Sequence, residues 1–116
     1  MKKILIIDDD EISLHFLSNI LKGGEFEVIS ESSSEMALEK IKEDNFDLVV
    51  TDICMPRVNG FQILEEAKKR KENISVIGIS SSFTRTREFL SKGFYAFFLK
   101  PFDKEKFLTI IKKAAT

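Results

Sequence analysis

The sequence predicts an α/β fold, a doubly wound parallel sheet of five strands with five helices on its two faces. Three observations predict it. Short apolar runs rich in β-branched residues alternate five times with amphipathic stretches. The first run, ILII at 4–7, lacks period-two alternation, the pattern of a strand buried on both faces. No linker or low-complexity tract breaks the alternation, so residues 1–116 read as one domain of ordinary size.

The elements follow in order. Strand one is 4–7. Helix one is 11–22, where Ile12, Phe16 and Ile20 recur at four-residue spacing beside Leu14, Leu17 and Leu21, and Gly23–Gly24 end it. Strand two is 27–30. Helix two is 34–44, with Ser33 or Ser34 as N-cap. Strand three is 47–51. Helix three is 60–72, with basic residues at its end to suit the helix dipole. Strand four is 75–80, helix four 84–92 with Gly93 as its stop, strand five 96–99, and helix five 103–115 behind the N-cap Asp103. Successive βα units of this kind build a parallel sheet with helices on both faces.

Composition narrows the function. Net charge is -1, unlike the basic footprint of a nucleic-acid binder. No apolar run approaches a membrane span, and MKKILII meets acids too soon to be a secretory signal. The single Cys54 excludes an intrachain disulfide and a Cys-rich metal cluster. A cytoplasmic protein is expected. His15 reads as solvated, Met36 and Met55 as packing, and KKRK at 68–71 as a solvated helix end. Among Phe83, Phe89, Phe94, Tyr95, Phe97 and Phe98, most read as core and one or two as exposed.

Parallel sheets of this class bind ligands outside the carboxyl ends of their strands. The residues that follow the strands form a sparse polar set: Asp8, Asp9 and Asp10, then Asp52, then Ser80 to Ser82, then Lys100 before Pro101. Carboxylates crowded into one cleft repel, and a hard divalent cation removes the conflict. Mg²⁺ takes oxygen ligands and is commonly held by one or two carboxylates plus phosphate oxygens. Asp8, Asp9 and Asp52 suit that need. Lys100 and the Ser80 hydroxyl could meet further oxygens of a phosphoryl group. Asp52 is then a candidate phosphoryl nucleophile.

The strand followed by DD, TDICMPRVNG at 51–60, a hydroxyl after strand four, and KPF at 100–102 resemble, in order and spacing, the receiver domain of two-component response regulators. The resemblance covers essentially the whole chain. It implies a flavodoxin-like sheet of order 2-1-3-4-5. It implies that Asp52 is phosphorylated, that Asp8 and Asp9 hold Mg²⁺, and that the Cys54 backbone carbonyl joins them. Ser80 would be the switch hydroxyl, Phe97 the switch aromatic and Lys100 the phosphate-contacting lysine, with a cis bond to Pro101. The chain departs from the family in four respects. Ser80 stands where Thr is commoner, and Phe97 where Tyr is common. The stretch from Ser80 to Gly93 is about two residues short by gap-counting. Cys54 and Ser82, at the positions that tune phosphoryl lifetime, are not carboxylates.

The resemblance further implies a sensor histidine kinase or histidine phosphotransfer protein as partner. Ile12, Ser13, Phe16, Pro101 and Phe102 form the expected docking face. No effector domain is expected within residues 1–116, so output would be contact with a downstream protein, onward phosphotransfer or homodimerisation on activation. Neither nucleic-acid binding nor membrane insertion is expected. Intrinsic self-phosphorylation and autodephosphorylation are expected of the domain rather than enzymatic turnover. Two rival readings stand beside this one. DDD permits the D-x-D spacing, Asp8 and Asp10, of Mg²⁺-dependent phosphohydrolases of haloacid-dehalogenase type. A phosphate-blind binding module is the other.

Overall fold

The computed structural model describes residues 1–81 and 86–115, with the backbone alone at positions 86, 87 and 89. Chain order is β1 (Lys2–Ile7), α1 (Glu11–Lys22), β2 (Phe26–Glu31), α2 (Ser34–Glu43), β3 (Leu48–Asp52), α3 (Gly60–Arg70), β4 (Ser75–Ser80), α4 (Thr86–Ser91), β5 (Ala96–Leu99) and α5 (Lys104–Ala115). The strands form one parallel sheet of order β2-β1-β3-β4-β5, as expected.

Alternate strand residues face opposite sides of the sheet. Ile4, Ile6, Leu48, Val50, Ile77 and Ile79 pack with Leu17, Ile20 and Leu21 of α1 and Phe107 and Ile111 of α5. Leu5, Ile7, Val49 and Val76 pack on the other face with Ala37 and Ile41 of α2 and Ile63, Leu64 and Ala67 of α3. Burying a Leu, Ile, Val or Phe side chain contributes about 1.5–3 kcal/mol. Two such layers offset the cost of gathering carboxylates at one sheet end. From β1 the chain runs to β2 on one side, then crosses to β3 on the other. That reversal opens a crevice beyond the ends of β1 and β3.

Most predicted boundaries hold within two residues, and β4 and β5 match in full. Of the two candidate serines it is Ser33 that caps α2, accepting from the Met36 N–H at 3.2 Å. Asp103 caps α5, its carboxylate accepting from Glu105 and Lys106. Gly23 ends α1 as expected, in right-handed geometry with its N–H on the Leu21 carbonyl. One expectation changes. Met36 is exposed rather than packed, whereas Met55 does pack against the core. The predicted start of helix four at Thr84, together with Ser82 and Phe83, lies outside the described residues, as does the Phe89 side chain.

Candidate functional site

The crevice is built by three loops. After β1 the chain turns at once into α1. Asp10 caps that helix, its Oδ1 accepting from the Ile12 N–H at 3.1 Å. Asp8 turns inward and is fully buried, while Asp9 is exposed. Asp8 is held from behind by the Asp10 N–H, 3.0 Å from its Oδ1.

Asp52 is the last residue of β3, and its side chain is partly exposed. Its Oδ1 accepts from the Cys54 N–H at 3.1 Å. The loop beyond it is fastened to the sheet. The Ile53 N–H donates to the Ile79 carbonyl and the Gly60 N–H to the Ile53 carbonyl, each at 2.9 Å. Position 60 has no room for a side chain: a Cβ would lie 2.9 Å from the Ile53 Cα and 3.1 Å from the Asp52 carbonyl oxygen. Asn59 and Gln62 form a reciprocal capping box at the start of α3. Its N-x-x-Q signature is legible in NGFQ.

Lys100 arrives from β5. Its N–H donates to the Ser80 carbonyl at 2.8 Å, which ties the ends of β4 and β5 together, and its bond to Pro101 is cis. The ammonium lies 2.8 Å from Asp8 Oδ2 and 3.5 Å from Asp52 Oδ2. Asp8, Asp9 and Asp52 each offer an oxygen to a set lying within 4.8 Å of one another. Residues 8, 9, 52 and 100, scattered along the sequence, thus meet as expected.

Electrostatics separates these groups. Burial, and then the charge of Asp8, push the Asp52 carboxyl up to about 6; Lys100 and the Cys54 N–H pull the other way without cancelling the rise. Burial opposes the charge on Lys100, but its hydrogen bond to Asp8 and the charges of Asp8 and Asp52 more than offset it, so its pKa lies above the usual lysine value. Among the described residues, three carboxylates face one ammonium. The set is all hard oxygen with an excess of negative charge, which fits a divalent cation such as Mg²⁺.

Chain positions 4–112 match the family model of the response regulator receiver domain. The chain belongs to that family. It is 31% identical over 118 residues to chemotaxis protein CheY of Listeria monocytogenes, covering 99% of both chains. It is 34% identical over 100 residues to the two-component response regulator ARR21 of Arabidopsis thaliana, covering 84% of this chain but only 16% of that longer protein. The response regulator TrrA of Thermotoga maritima, solved in complex with Mg²⁺-BeF, superposes with a TM-score of 0.89 at 27% identity, covering 98% of this chain and 99% of that one.

The remaining predicted receiver residues are placed as follows. The Ser80 side chain is buried at the end of β4. Phe97 pairs in register with Gly78 and packs, half-buried, against the face that carries α2 and α3. Gly78 makes that possible, because a Cβ there would lie 2.9 Å from Ile53 Cδ1 and 3.2 Å from Phe97 Cδ2. Cys54 is exposed beside the crevice. Ile12 and Phe16 are exposed on α1, and the Phe16 ring lies tilted against Phe102 with centroids 6.4 Å apart. Ser13, Phe16, Leu17, Lys100, Pro101 and Phe102 line a cleft of about 210 Å³ beside the acidic crevice. Asp10 serves as the cap of α1, and its carboxylate is not one of the three gathered at Asp52, so the second acid of the D-x-D spacing is used in capping. No helix among the described residues is long and apolar enough to cross a membrane.

Proposed function

We propose that this receiver takes a phosphoryl group onto Asp52 from a phosphohistidine of a sensor histidine kinase or a histidine phosphotransfer protein. An Asp52 carboxylate oxygen attacks phosphorus and forms an acyl phosphate. The phosphorus–nitrogen bond breaks, and its electron pair returns to the donor imidazole. Water later attacks the phosphorus, which releases inorganic phosphate and regenerates the carboxylate. Among the observations, the placement of Lys100 carries this reading. One ammonium stands beside both Asp8 and Asp52, where a phosphoryl oxygen on Asp52 would come within its reach.

Asp8, Asp9 and Asp52, with the Cys54 backbone carbonyl, would hold Mg²⁺. When bound it supplies positive charge against the phosphoryl oxygens. The chain's own groups do the rest. The Cys54 N–H fixes one oxygen of Asp52. Lys100 neutralises charge developing on the phosphoryl group. The Ser80 hydroxyl donates to the phosphoryl group, and its movement, with that of Phe97 and α4, shifts a two-state equilibrium that partners read. Phe16, Pro101 and Phe102 line the cleft beside the crevice and, with the exposed Ile12 of α1, suit an approaching donor. The domain acts in the cytoplasm by protein contact.

The test is titration with beryllofluoride and Mg²⁺, followed by backbone resonances, together with mass spectrometry after exposure to phosphoramidate. Saturable shifts around Asp52, Ser80 and Lys100 and one added phosphoryl group on Asp52 are expected. A flat titration, or a phosphoryl group on another side chain, would overturn the reading.

A further inference from the structure

Ser13 was expected only as part of a docking face. Its hydroxyl also accepts from the Lys100 ammonium at 3.1 Å. The same hydroxyl donates to Asp10 Oδ2 at 3.3 Å. Asp10 in turn donates its N–H to Asp8 Oδ1, and the other oxygen of Asp8 accepts from Lys100 at 2.8 Å. A closed ring of hydrogen bonds therefore runs Asp8, Lys100, Ser13, Asp10 and back to Asp8. It joins the chain just past the ends of β1 and β5 to the first turn of α1.

An ammonium has three N–H donors and no acceptor. Asp8 takes one and Ser13 takes the second. Among the described residues, the third group near the ammonium is Asp52 Oδ2, at 3.5 Å, longer than a good hydrogen bond. A lysine side chain is flexible and rich in rotamers, so its ammonium is placed only as well as its partners hold it. Asp10 draws the Ser13 hydrogen to itself and so turns a lone pair of that oxygen towards Lys100. We infer that Ser13 is a positioning residue for phosphoryl transfer: its hydroxyl, oriented by Asp10, holds Lys100 so that one N–H stays directed at Asp52. Pre-placement of a charge-neutralising donor lowers a barrier because nothing has to reorganise at the moment of reaction. The inference rests on Asp52 being the phosphoryl acceptor.

The test compares wild type, Ser13→Ala and Ser13→Thr in the full chain, with phosphoramidate as donor and saturating Mg²⁺. Ser13→Ala should lower the limiting phosphorylation rate about tenfold, as suits loss of one hydrogen bond to a charged group. The phosphoramidate concentration at half-maximal rate should barely move, and Ser13→Thr should restore the rate to within about twofold. A second readout is independent of phosphorylation. The Lys100 ammonium resonance, assigned by its loss in Lys100→Met, should be visible in wild type and Ser13→Thr and broadened by water exchange in Ser13→Ala. An unchanged rate in Ser13→Ala overturns the inference. So does a slow Ser13→Ala whose ammonium resonance is unaltered, since the serine would then act through packing alone. If wild type takes no phosphoryl group on Asp52, the proposed function falls, while the ammonium comparison still decides whether Ser13 holds Lys100.

Discussion

Lys100–Asp8 and Arg57–Glu35 are ion pairs of nearly equal length, 2.8 and 2.7 Å. Their surroundings differ. Asp8 is fully buried and the Lys100 side chain 21% exposed, whereas Arg57 and Glu35 are 78% and 56% exposed. Distance alone would rank them equal. Water screens the outer pair and would solvate either partner freely if the other were lost. The inner carboxylate has exchanged water for one ammonium and one backbone N–H, so each partner depends on the other. The outer pair decorates the loop after β3. The inner pair gathers charge where the proposed chemistry needs it, and leaves Asp52 with the weaker share of the lysine at 3.5 Å.

The largest effect should come from removing the inner cation. Lys100→Met leaves Asp8 buried without a counter-charge and should cost about 2–3 kcal/mol in metal-free buffer, below the full value for a deeply buried pair because the lysine is partly solvated. Chemical denaturation with chelator present measures it. Millimolar Mg²⁺ should recover much of that loss, because a cation bound only by the folded state replaces the missing charge. A loss below about 0.5 kcal/mol would place the inner pair with ordinary surface pairs and break the contrast.

The fold was legible because strands buried on both faces and helices with one apolar stripe leave strong periodic signals. The site was legible for a different reason. Asp8, Asp9, Asp52 and Lys100 each sit at a strand's end, so knowing the strands was enough to bring them together. What depends on side-chain direction was not legible. Ser13 lies one residue from the exposed Ile12, and nothing in helical spacing says that its hydroxyl turns to a lysine from the far end of the chain. Gly78 likewise reads as a weak point in a strand until the Phe97 ring and Ile53 are seen occupying the space a side chain would need.

Asp52→Asn should have an intermediate effect, opposite in sign. In the folded protein Asp52 titrates at about 6, above its usual 3.8. The folded state therefore keeps the Asp52 proton over an interval in which the unfolded chain has already lost it. The stability this group contributes is full below about pH 4 and is lost as pH rises through about 6. Asparagine has no charge to bury. At pH 7, without Mg²⁺, Asp52→Asn should be more stable than wild type by about 1–2 kcal/mol, a figure discounted for partial solvent access. The difference should shrink towards zero near pH 4. Stability curves of the two proteins across this range check it, and a difference independent of pH would mean that Asp52 is not the strained carboxylate. The same substitution should abolish phosphorylation and reduce the rise in melting temperature on adding Mg²⁺.

The smallest effect belongs to the outer pair. Glu35→Gln removes the charge facing Arg57 and should change stability by less than about 0.5 kcal/mol. Arg57 holds a left-handed backbone conformation, φ 69°, so its loop carries some strain that the pair could in principle help to bear. A second tie makes the pair dispensable. The buried Ser34 hydroxyl donates to the Pro56 carbonyl at 2.9 Å and fastens the same loop to α2 from inside. Glu35→Gln should therefore leave the phosphorylation rate and Mg²⁺ affinity unchanged, whereas Ser34→Ala should cost more stability than Glu35→Gln. If Glu35→Gln proved the costlier of the two, the exposed pair would be holding the loop, and burial would not be what ranks these contacts.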